Sequence, residues 1–226
     1  MSIWSRMADA IAALASGEGL SAVFDKLRAN PDKTVAFAIA VIALGAKMAK
    51  ADGLVTKDEV VAFREVFLIP PEEEANAARV FNLARQDVAG FDIYARRIKA
   101  MYADDDAPLC DLMEGLFHIA MADGVYHPNE DAFLREVAEI FGFDDRRFRG
   151  IRAQFVADAE RDPYDVLCVE PGASMEEARA AWRKLVRETH PDQMMARGVP
   201  EEAVKLAERR MVAITRAWED NQRSAA

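Results

Sequence analysis

Apolar residues recur along most of this chain at intervals of three and four positions, which is the spacing of one face of an α-helix. Proline and glycine fall mostly between these periodic segments, and no stretch alternates apolar and polar residues long enough to predict a strand. Helices are predicted over residues 2–14, after position 31, from near position 56, over 72–86, 91–102, 109–122, 129–141, 146–158 and 175–189, and from about 201. The expected fold class is all-α.

Two segments bear on contact with a membrane. The longest uncharged apolar run, Val35–Ala46, has twelve residues and ends at Lys47. A spanning helix needs about 20 residues, so this run predicts a buried core helix. The first helix places Ile3, Trp4 and Met7 on one face. It carries too little positive charge to favour a membrane surface over intramolecular packing or dimerisation, and these alternatives stay open.

An internal repeat lies within the helical region. Residues 49–66 read AKADGLVTKDEVVAFREV and residues 120–137 read AMADGVYHPNEDAFLREV, with eight identical pairs in an ungapped alignment. In each copy, one helix is predicted to end at the Asp-Gly pair and the next to begin just before the matched glutamate. Two related helical hairpins of this kind predict a pseudo-symmetric bundle.

The glycine and the glutamate of each copy are spaced like the glycine and the last glutamate of an EF-hand calcium loop. Calcium needs about six or more oxygen ligands. The first and third loop positions would be Met48 and Lys50 in one copy, and Ile119 and Met121 in the other. Because these side chains offer no oxygen, an EF-hand is not expected.

Helix capping accounts for the same motif. Thr56 and Glu59 form a capping box, and Pro128 stands at a first helical position with Glu130 two residues further on. The glycine of each copy can adopt the positive φ that closes a helix. No metal ligands are therefore assigned. A joint divalent-metal site stays open if the two loops meet in space, and it would use Asp52, Glu59, Asp123 and Glu130.

The charge of the chain is acidic and uneven. Asp and Glu number 39 against 29 Lys and Arg, a formal net charge of -10 over 226 residues. This balance argues against a nucleic-acid partner, because phosphate neutralisation needs a basic face. Residues 1–160 hold 27 acidic and 18 basic residues, whereas residues 161–226 hold 12 and 11. A second, nearly neutral unit therefore begins near Asp162.

Cysteine and histidine are too sparse for the common patterns of disulfide and metal sites. Cys110 and Cys168 lie far apart, and the chain has three histidines. They form no disulfide framework and no zinc-ligand spacing, so we expect no cofactor and a reducing, cytoplasmic compartment. Both cysteines are interpreted as packing residues rather than nucleophiles.

The C-terminal unit contains two predicted caps and an amphipathic helix. Asp162 can cap a short helix with Pro163 at its first position, and Ser174 with Glu177 forms a capping box for the helix over 175–189. One face of that helix is apolar and comprises Ala178, Trp182, Leu185 and Val186. Another face is basic, with residues one turn apart and a flanking lysine: Arg179, Arg183, Arg187 and Lys184.

Proline ends this helix at His190-Pro191-Asp192, and a loop is predicted from there to about position 200. The last helix is expected to pack antiparallel against Trp182 and Leu185. Its apolar stripe comprises Ala207, Met211, Ile214 and Trp218. The pair would hold His190-Pro191-Asp192 at an exposed tip beside the basic face. Each feature also has an interpretation without a function. His190 taken alone fits an ordinary helix–turn–helix corner, and the arginines taken alone fit a solvated helix face.

These motifs resemble two known families. The Ala-Asp-Gly-x5-Glu pattern at Ala51–Glu59 and Ala122–Glu130 resembles the TerB-like domain, an all-helical fold, over about residues 30–155. Residues 162–222 resemble the J domain of DnaJ-type co-chaperones through the segments D-P-Y-D-V-L, A-W-R-K-L-V-R-E-T-H-P-D and I-T-R-A-W-E. Two features resemble a membrane-associated type of DnaJ-like co-chaperone. They are the order of the two domains and the loop H-P-D-Q-M-M-A-R-G-V-P-E.

The resemblance implies domains and roles. The expected domains are an N-terminal amphipathic helix and linker over 1–29, a TerB-like bundle over 30–158 and a helical-hairpin J domain over 159–226. His190, Pro191 and Asp192 correspond to the signature that J domains need to stimulate ATP hydrolysis by DnaK-type chaperones. The family's basic face, which docks on the acidic chaperone, corresponds to Arg179, Arg183, Lys184 and Arg187.

The sequence departs from the family pattern at three positions. Cys168 replaces a common glycine, Gln193 replaces a common lysine, and Trp218 stands where tyrosine or phenylalanine is usual. The short fourth helix of many J domains and the membrane span of the similar co-chaperones find no counterpart in this sequence. Residues 1–14 offer only an amphipathic helix.

The resulting hypothesis is a non-enzymatic J-domain co-chaperone whose TerB-like domain selects a client, a location or an oligomeric partner. Homodimerisation and peripheral contact with the inner membrane stay open. Acid–base catalysis by His190 and Asp192 is not expected, because no nucleophile or pocket pattern accompanies them. The alternative hypothesis is a metal- or stress-responsive TerB-like scaffold with a degenerate J domain.

Overall fold

The described part of the chain is built from helices. A computed structural model describes residues 3–12, 22–29, 32–51, 74–86, 90–102, 105–156, 159, 161–199 and 205–224. No strand occurs in these ranges, and the predicted all-α class is confirmed. The helix predicted from near Thr56, its capping box, and the metal candidates Asp52 and Glu59 lie outside the described residues.

The helices form a bundle and a C-terminal unit. The bundle comprises α1 (Ile3–Ala12), α2 (Ala22–Ala29), α3 (Lys33–Ala51), α4 (Glu74–Gln86), α5 (Phe91–Met101), α6 (Ala107–Ala120), α7 (Pro128–Phe141) and α8 (Asp145–Phe155). The C-terminal unit comprises α9 (Pro163–Val166), α10 (Met175–Glu188), α11 (Pro191–Ala196) and α12 (Lys205–Ser224). Helix ends that lie among the described residues agree with the predicted bounds to within about three residues, whereas α2 and α11 were not predicted. The predicted start of the last helix, near position 201, lies outside the described residues.

Helix α3 forms the centre of the bundle. Residues Val35–Ala46 are buried throughout, as the apolar run predicts, and α3 contacts α1, α4, α5, α6 and α7. The apolar face of α1 also packs inward, because Ile3, Met7 and Ile11 are buried in the same core. Of the alternatives for α1, intramolecular packing is the one observed. Within the described ranges, no helix combines the length and apolar composition that crossing a bilayer requires.

The second copy of the repeat folds as its caps predict. Gly124 adopts a φ of +82° in the turn after α6. Pro128 is the first residue of α7, and the Glu130 carboxylate accepts a hydrogen bond from the His127 backbone N–H at 2.9 Å. Glycine and proline therefore act here as helix stop and start signals, and no metal is needed to explain the turn.

The C-terminal unit has a small core between α10 and α12. The hydroxyl of Ser174 and the carboxylate of Glu177 form the predicted capping box at the start of α10. Trp182 of α10 stacks on Trp218 of α12, with ring centroids 5.6 Å apart. The buried residues around this stack are Leu167, Ala178, Ile214 and Ala217. This packing joins α10 and α12 as the hairpin pattern predicts.

The hairpin packs directly against the bundle. Met194, Val199 and Ala207 are buried in the bundle core, so the placement of Ala207 on the hairpin stripe was wrong. A Cβ at Gly150 of α8 would collide with the backbone carbonyl of Asp165 in α9. Because glycine has no side chain, α8 and α9 can approach each other at that point.

Candidate partner-binding site

The His-Pro-Asp tip is the start of a helix. The sequence predicts a loop after His190, but the structure places the six-residue α11 there. Proline suits a first helical turn, because it lacks a backbone N–H and has a fixed φ. The Nδ1 atom of His190 accepts a hydrogen bond from the Asp192 N–H at 3.2 Å. His190 therefore caps α11 and holds the signature in one short turn.

The tip projects into solvent. The side chains of His190 and Asp192 are 60% and 78% exposed, and His190 Nδ1 lies 3.6 Å from a carboxylate oxygen of Asp192. The carbonyl oxygen of His190 accepts hydrogen bonds from the N–H groups of Gln193 and Met194. The backbone of the tip is thus internally bonded, and its side chains stay accessible to a partner.

An exposed basic stripe leads along α10 to this tip. Arg179, Arg183 and Arg187 are exposed, and none of them forms an ion pair with another residue of the described ranges. They recur once per turn, and the carbonyl of Arg187 accepts the N–H of His190 at 3.3 Å. A stripe of three arginines without an ion pair to any described residue therefore leads to the tip, and such a stripe is suited to docking an acidic partner.

Lys184 differs from the three arginines. Its ammonium lies 3.9 Å from the Glu188 carboxylate, and the side chain is exposed. It also borders a cleft between the bundle and the C-terminal unit. The structure therefore brings Arg179, Arg183 and Arg187 together on the stripe, while Lys184 stands at its margin facing the bundle.

A buried ion network joins the C-terminal unit to the bundle, and sequence reasoning missed it. Asp111 of α6 is fully buried and contacts Arg197 at 2.8 Å and Arg210 at 2.9 Å. The Nε atom of Arg210 donates to Glu114, one turn further along α6. Arg197 also donates to the carbonyl oxygen of Glu188 at 2.9 Å. Two arginines and two carboxylates are thus paired away from water.

The network had a sequence signal. Asp111 and Glu114 are the acidic residues of the otherwise mostly apolar α6, and an ionised carboxylate in a core needs a partner. Burial raises the pKa of Glu114 to about 7, although the nearby Arg210 pulls it down. The carboxylates of Asp111 and Glu114 are both shielded from solvent, so the network lies in a poorly hydrated site.

The cleft beside this network contains both cysteines. It has a volume of about 740 Å³. Burial raises the pKa of the Cys110 thiol to about 12, and its sulfur accepts a hydrogen bond from Arg147 at 3.1 Å. Desolvation also raises the pKa of Cys168, which is exposed and adopts an uncommon φ of +55°. A thiol with a raised pKa is a poor nucleophile, and the limited exposure of Cys110 favours its interpretation as a packing residue, whereas the exposure of Cys168 does not.

The acidic residues of the second repeat copy already have local partners. Asp123 accepts the N–H of Val125 at 2.8 Å, and Glu130 accepts the N–H of His127. No group of three or more metal-ligating side chains occurs among the described residues. A joint site with the first copy stays a prediction, since Asp52 and Glu59 are not described.

Two family profiles match the chain, one for each unit. The profile of tellurite resistance protein TerB matches residues 38–153, and the DnaJ domain profile matches residues 162–220. Both resemblances inferred from the motifs are thereby confirmed. The match to the DnaJ profile includes the tip, the basic stripe and both arginines of the buried network.

Several similar proteins bear the name Co-chaperone protein DjlA. The one from Photobacterium profundum is 27% identical over 223 residues, which cover 87% of this chain and 80% of that protein. The one from Vibrio parahaemolyticus is 27% identical over 228 residues, with the same two coverages. The one from Escherichia coli K12 is 33% identical over 123 residues, covering 44% of this chain and 45% of that protein. No solved structure matches the chain.

Proposed function

The chain belongs to the TerB family, with a DnaJ domain in its C-terminal unit, and from this premise we propose that it stimulates ATP hydrolysis by a DnaK-type chaperone. The observation that carries the proposal is the exposed His190-Pro191-Asp192 tip at the end of an arginine stripe that has no ion pair with any described residue. The tip and the stripe stay open to solvent although the unit is packed on the bundle. A partner can therefore bind without the two units separating.

The arginine stripe and the His-Pro-Asp tip have different roles in this proposal. Arg179, Arg183 and Arg187 attract an acidic surface and orient it, because complementary charge raises the rate of productive encounter. The tip then contacts the partner and favours the conformation that hydrolyses ATP, since a ligand shifts an equilibrium by binding one state better than the other. Lys184 contributes from the margin of the stripe. The chain itself acts as a regulator and not as the ATPase.

The bundle has a separate role in the proposed function, which is to provide specificity. Residues 1–160 have 27 acidic and 18 basic residues, whereas residues 161–226 are nearly neutral with 12 and 11, so the bundle is the less suited of the two to bind an acidic partner surface. We assign to it the choice of client, location or oligomeric partner. Because the chaperone needs ATP, the C-terminal unit acts on the cytoplasmic side.

Substitution of the tip histidine tests the proposal. His190→Gln is expected to leave folding intact, since the side chain is mostly exposed, and to abolish stimulation of a DnaK-type ATPase. The matched control is His127→Gln, because His127 also precedes a proline at the start of a helix but lies in the bundle. The control is expected to stimulate as the wild type does.

The assay measures single-turnover ATP hydrolysis over a range of chain concentrations, with circular dichroism as the check on folding. A wild-type chain that gives no stimulation at any concentration contradicts the proposed function. Equal stimulation by His190→Gln and the wild type contradicts the role of the tip.

A further inference from the structure

We propose that Asp111 and Arg197 form a clamp through which the bundle sets the position of the His-Pro-Asp tip, an inference that rests on the co-chaperone function proposed above. Arg197 directly follows α11, and Asp111 lies in the middle of α6. The bundle would thus be more than a carrier for the J domain. It would determine how well the tip acts once the partner is bound.

The guanidinium of Arg197 bridges both sides of the tip. Its Nη1 donates to the carbonyl oxygen of Glu188, the last residue of α10, at 2.9 Å. Its Nε and Nη2 atoms donate to one carboxylate oxygen of Asp111 at 3.1 and 2.8 Å. The planar group has donors in fixed directions, so these contacts fix an angle as well as a distance. One side chain closes the tip segment and attaches it to α6.

The residues around Arg197 strengthen this attachment. Met194 of α11 is fully buried in the bundle core. Gly198 has a φ of +99°, and a Cβ there would lie 2.7 Å from the carbonyl carbon of Lys33 in α3. Only glycine allows this backbone approach without strain. The chain leaving the tip is therefore held to the bundle by a side chain, a core contact and a close backbone contact.

The tip has few restraints of its own. Within the described part of the chain, the side-chain contacts of His190 and Asp192 are with each other. Its direction relative to the stripe on α10 must therefore come from the segments on either side. Arg197 joins those two segments, which makes it a positioning residue for the tip.

Loosening the clamp should separate binding from stimulation. The stripe on α10 remains in place, so the partner still associates at nearly the same concentration. The tip then samples several directions, and fewer bound complexes have it correctly placed. The maximal stimulation at saturation should fall, while the concentration that gives half of it should change little. A general loss of stability would not produce this split in a chain that remains folded.

The substitution Arg197→Lys tests the clamp, because it keeps a positive charge beside the buried Asp111 but loses the forked donors. Maximal stimulation is expected to fall about fivefold, the equivalent of losing one net hydrogen bond. Amide hydrogen exchange at Gln193 and Met194 should become faster, while exchange in α9 stays unchanged. The matched control is Arg223→Lys on the exposed end of α12, for which neither quantity should change.

A second variant guards against misfolding of the first. Asp111→Asn removes the carboxylate, and it should lower maximal stimulation in the same way. The double variant should then be no worse than Asp111→Asn alone, because that change already removes the contact with Arg197 and also weakens the one with Arg210. Wild-type maximal stimulation in either folded single variant overturns the clamp. Absence of stimulation by the wild type instead contradicts the underlying co-chaperone function.

Discussion

The two sides of the C-terminal unit use arginine in opposite environments. On α10, Arg179, Arg183 and Arg187 stand in water without an ion pair to any described residue. On the side facing the bundle, Arg210 is buried and Arg197 is largely shielded from solvent, and both are paired with carboxylates. An exposed guanidinium adds little to stability but stays available to a partner. A buried one cannot be removed without leaving a carboxylate unpaired. The same residue type thus stands exposed on one face of the unit and paired with carboxylates on the other, and the function proposed above assigns recognition to the first face and attachment to the second.

The largest effect is expected from Arg210→Ala. The change leaves Asp111 and Glu114 with one cation fewer in a buried site, and breaking such a network costs about 3–5 kcal/mol. Urea denaturation measures the loss as a fall in the free energy of unfolding. The control Arg223→Ala, on the exposed end of the same helix, should have little effect. Similar losses in both variants would remove the distinction between the two environments.

An intermediate effect is expected where α8 meets α9. Gly150→Ala would place a methyl group against the Asp165 carbonyl, and overpacking of this kind costs about 1–3 kcal/mol. Gly115→Ala is the matched control, because its Cβ would meet only Val41, at an ordinary 3.5 Å. Alanine is the better helix former by about 1 kcal/mol, so the control should be neutral or stabilising. Thermal unfolding compares the stabilities of the two variants. A Gly150→Ala variant more stable than the wild type would mean that the contact between α8 and the Asp165 carbonyl is not tight.

The smallest effect on stability is expected from Arg183→Ala on the exposed stripe. The free energy of unfolding should not change measurably, because the side chain has no ion pair with any described residue to lose. The concentration for half-maximal ATPase stimulation should rise, and the rise should shrink as salt is added. Arg216→Ala, an exposed arginine on α12, is the control. Equal stimulation by both variants at low salt would leave the stripe without a role.

Local signals made much of the molecule predictable. The apolar run of α3 indicates its central place, and the start signals Ser174 and Pro128 stand where α10 and α7 begin. The exposed tip follows from a helix that ends at a proline. Each of these features depends on residues a few positions apart, whose chemistry can be read directly from the chain.

The features that sequence reasoning missed depend on distant contacts. Arg197 and Asp111 are 86 positions apart, and Arg210 and Glu114 are 96 apart. Helix periodicity says which face of α6 or α12 is apolar, but not which other helix a charged residue on that face will meet. The short α11 was missed for a local reason. Pro191 was interpreted as the end of one helix, whereas it also begins the next.

The burial of Met194, Val199 and Ala207 in the bundle core has a consequence for how the protein is made. A ribosome synthesises the bundle first, yet part of its core arrives only with the last third of the chain. Until then, the nascent bundle has apolar surface open to water, a state prone to association with other chains. The segment that carries the tip is therefore also a late piece of the core, so correct closure of the bundle and presentation of the tip become the same event.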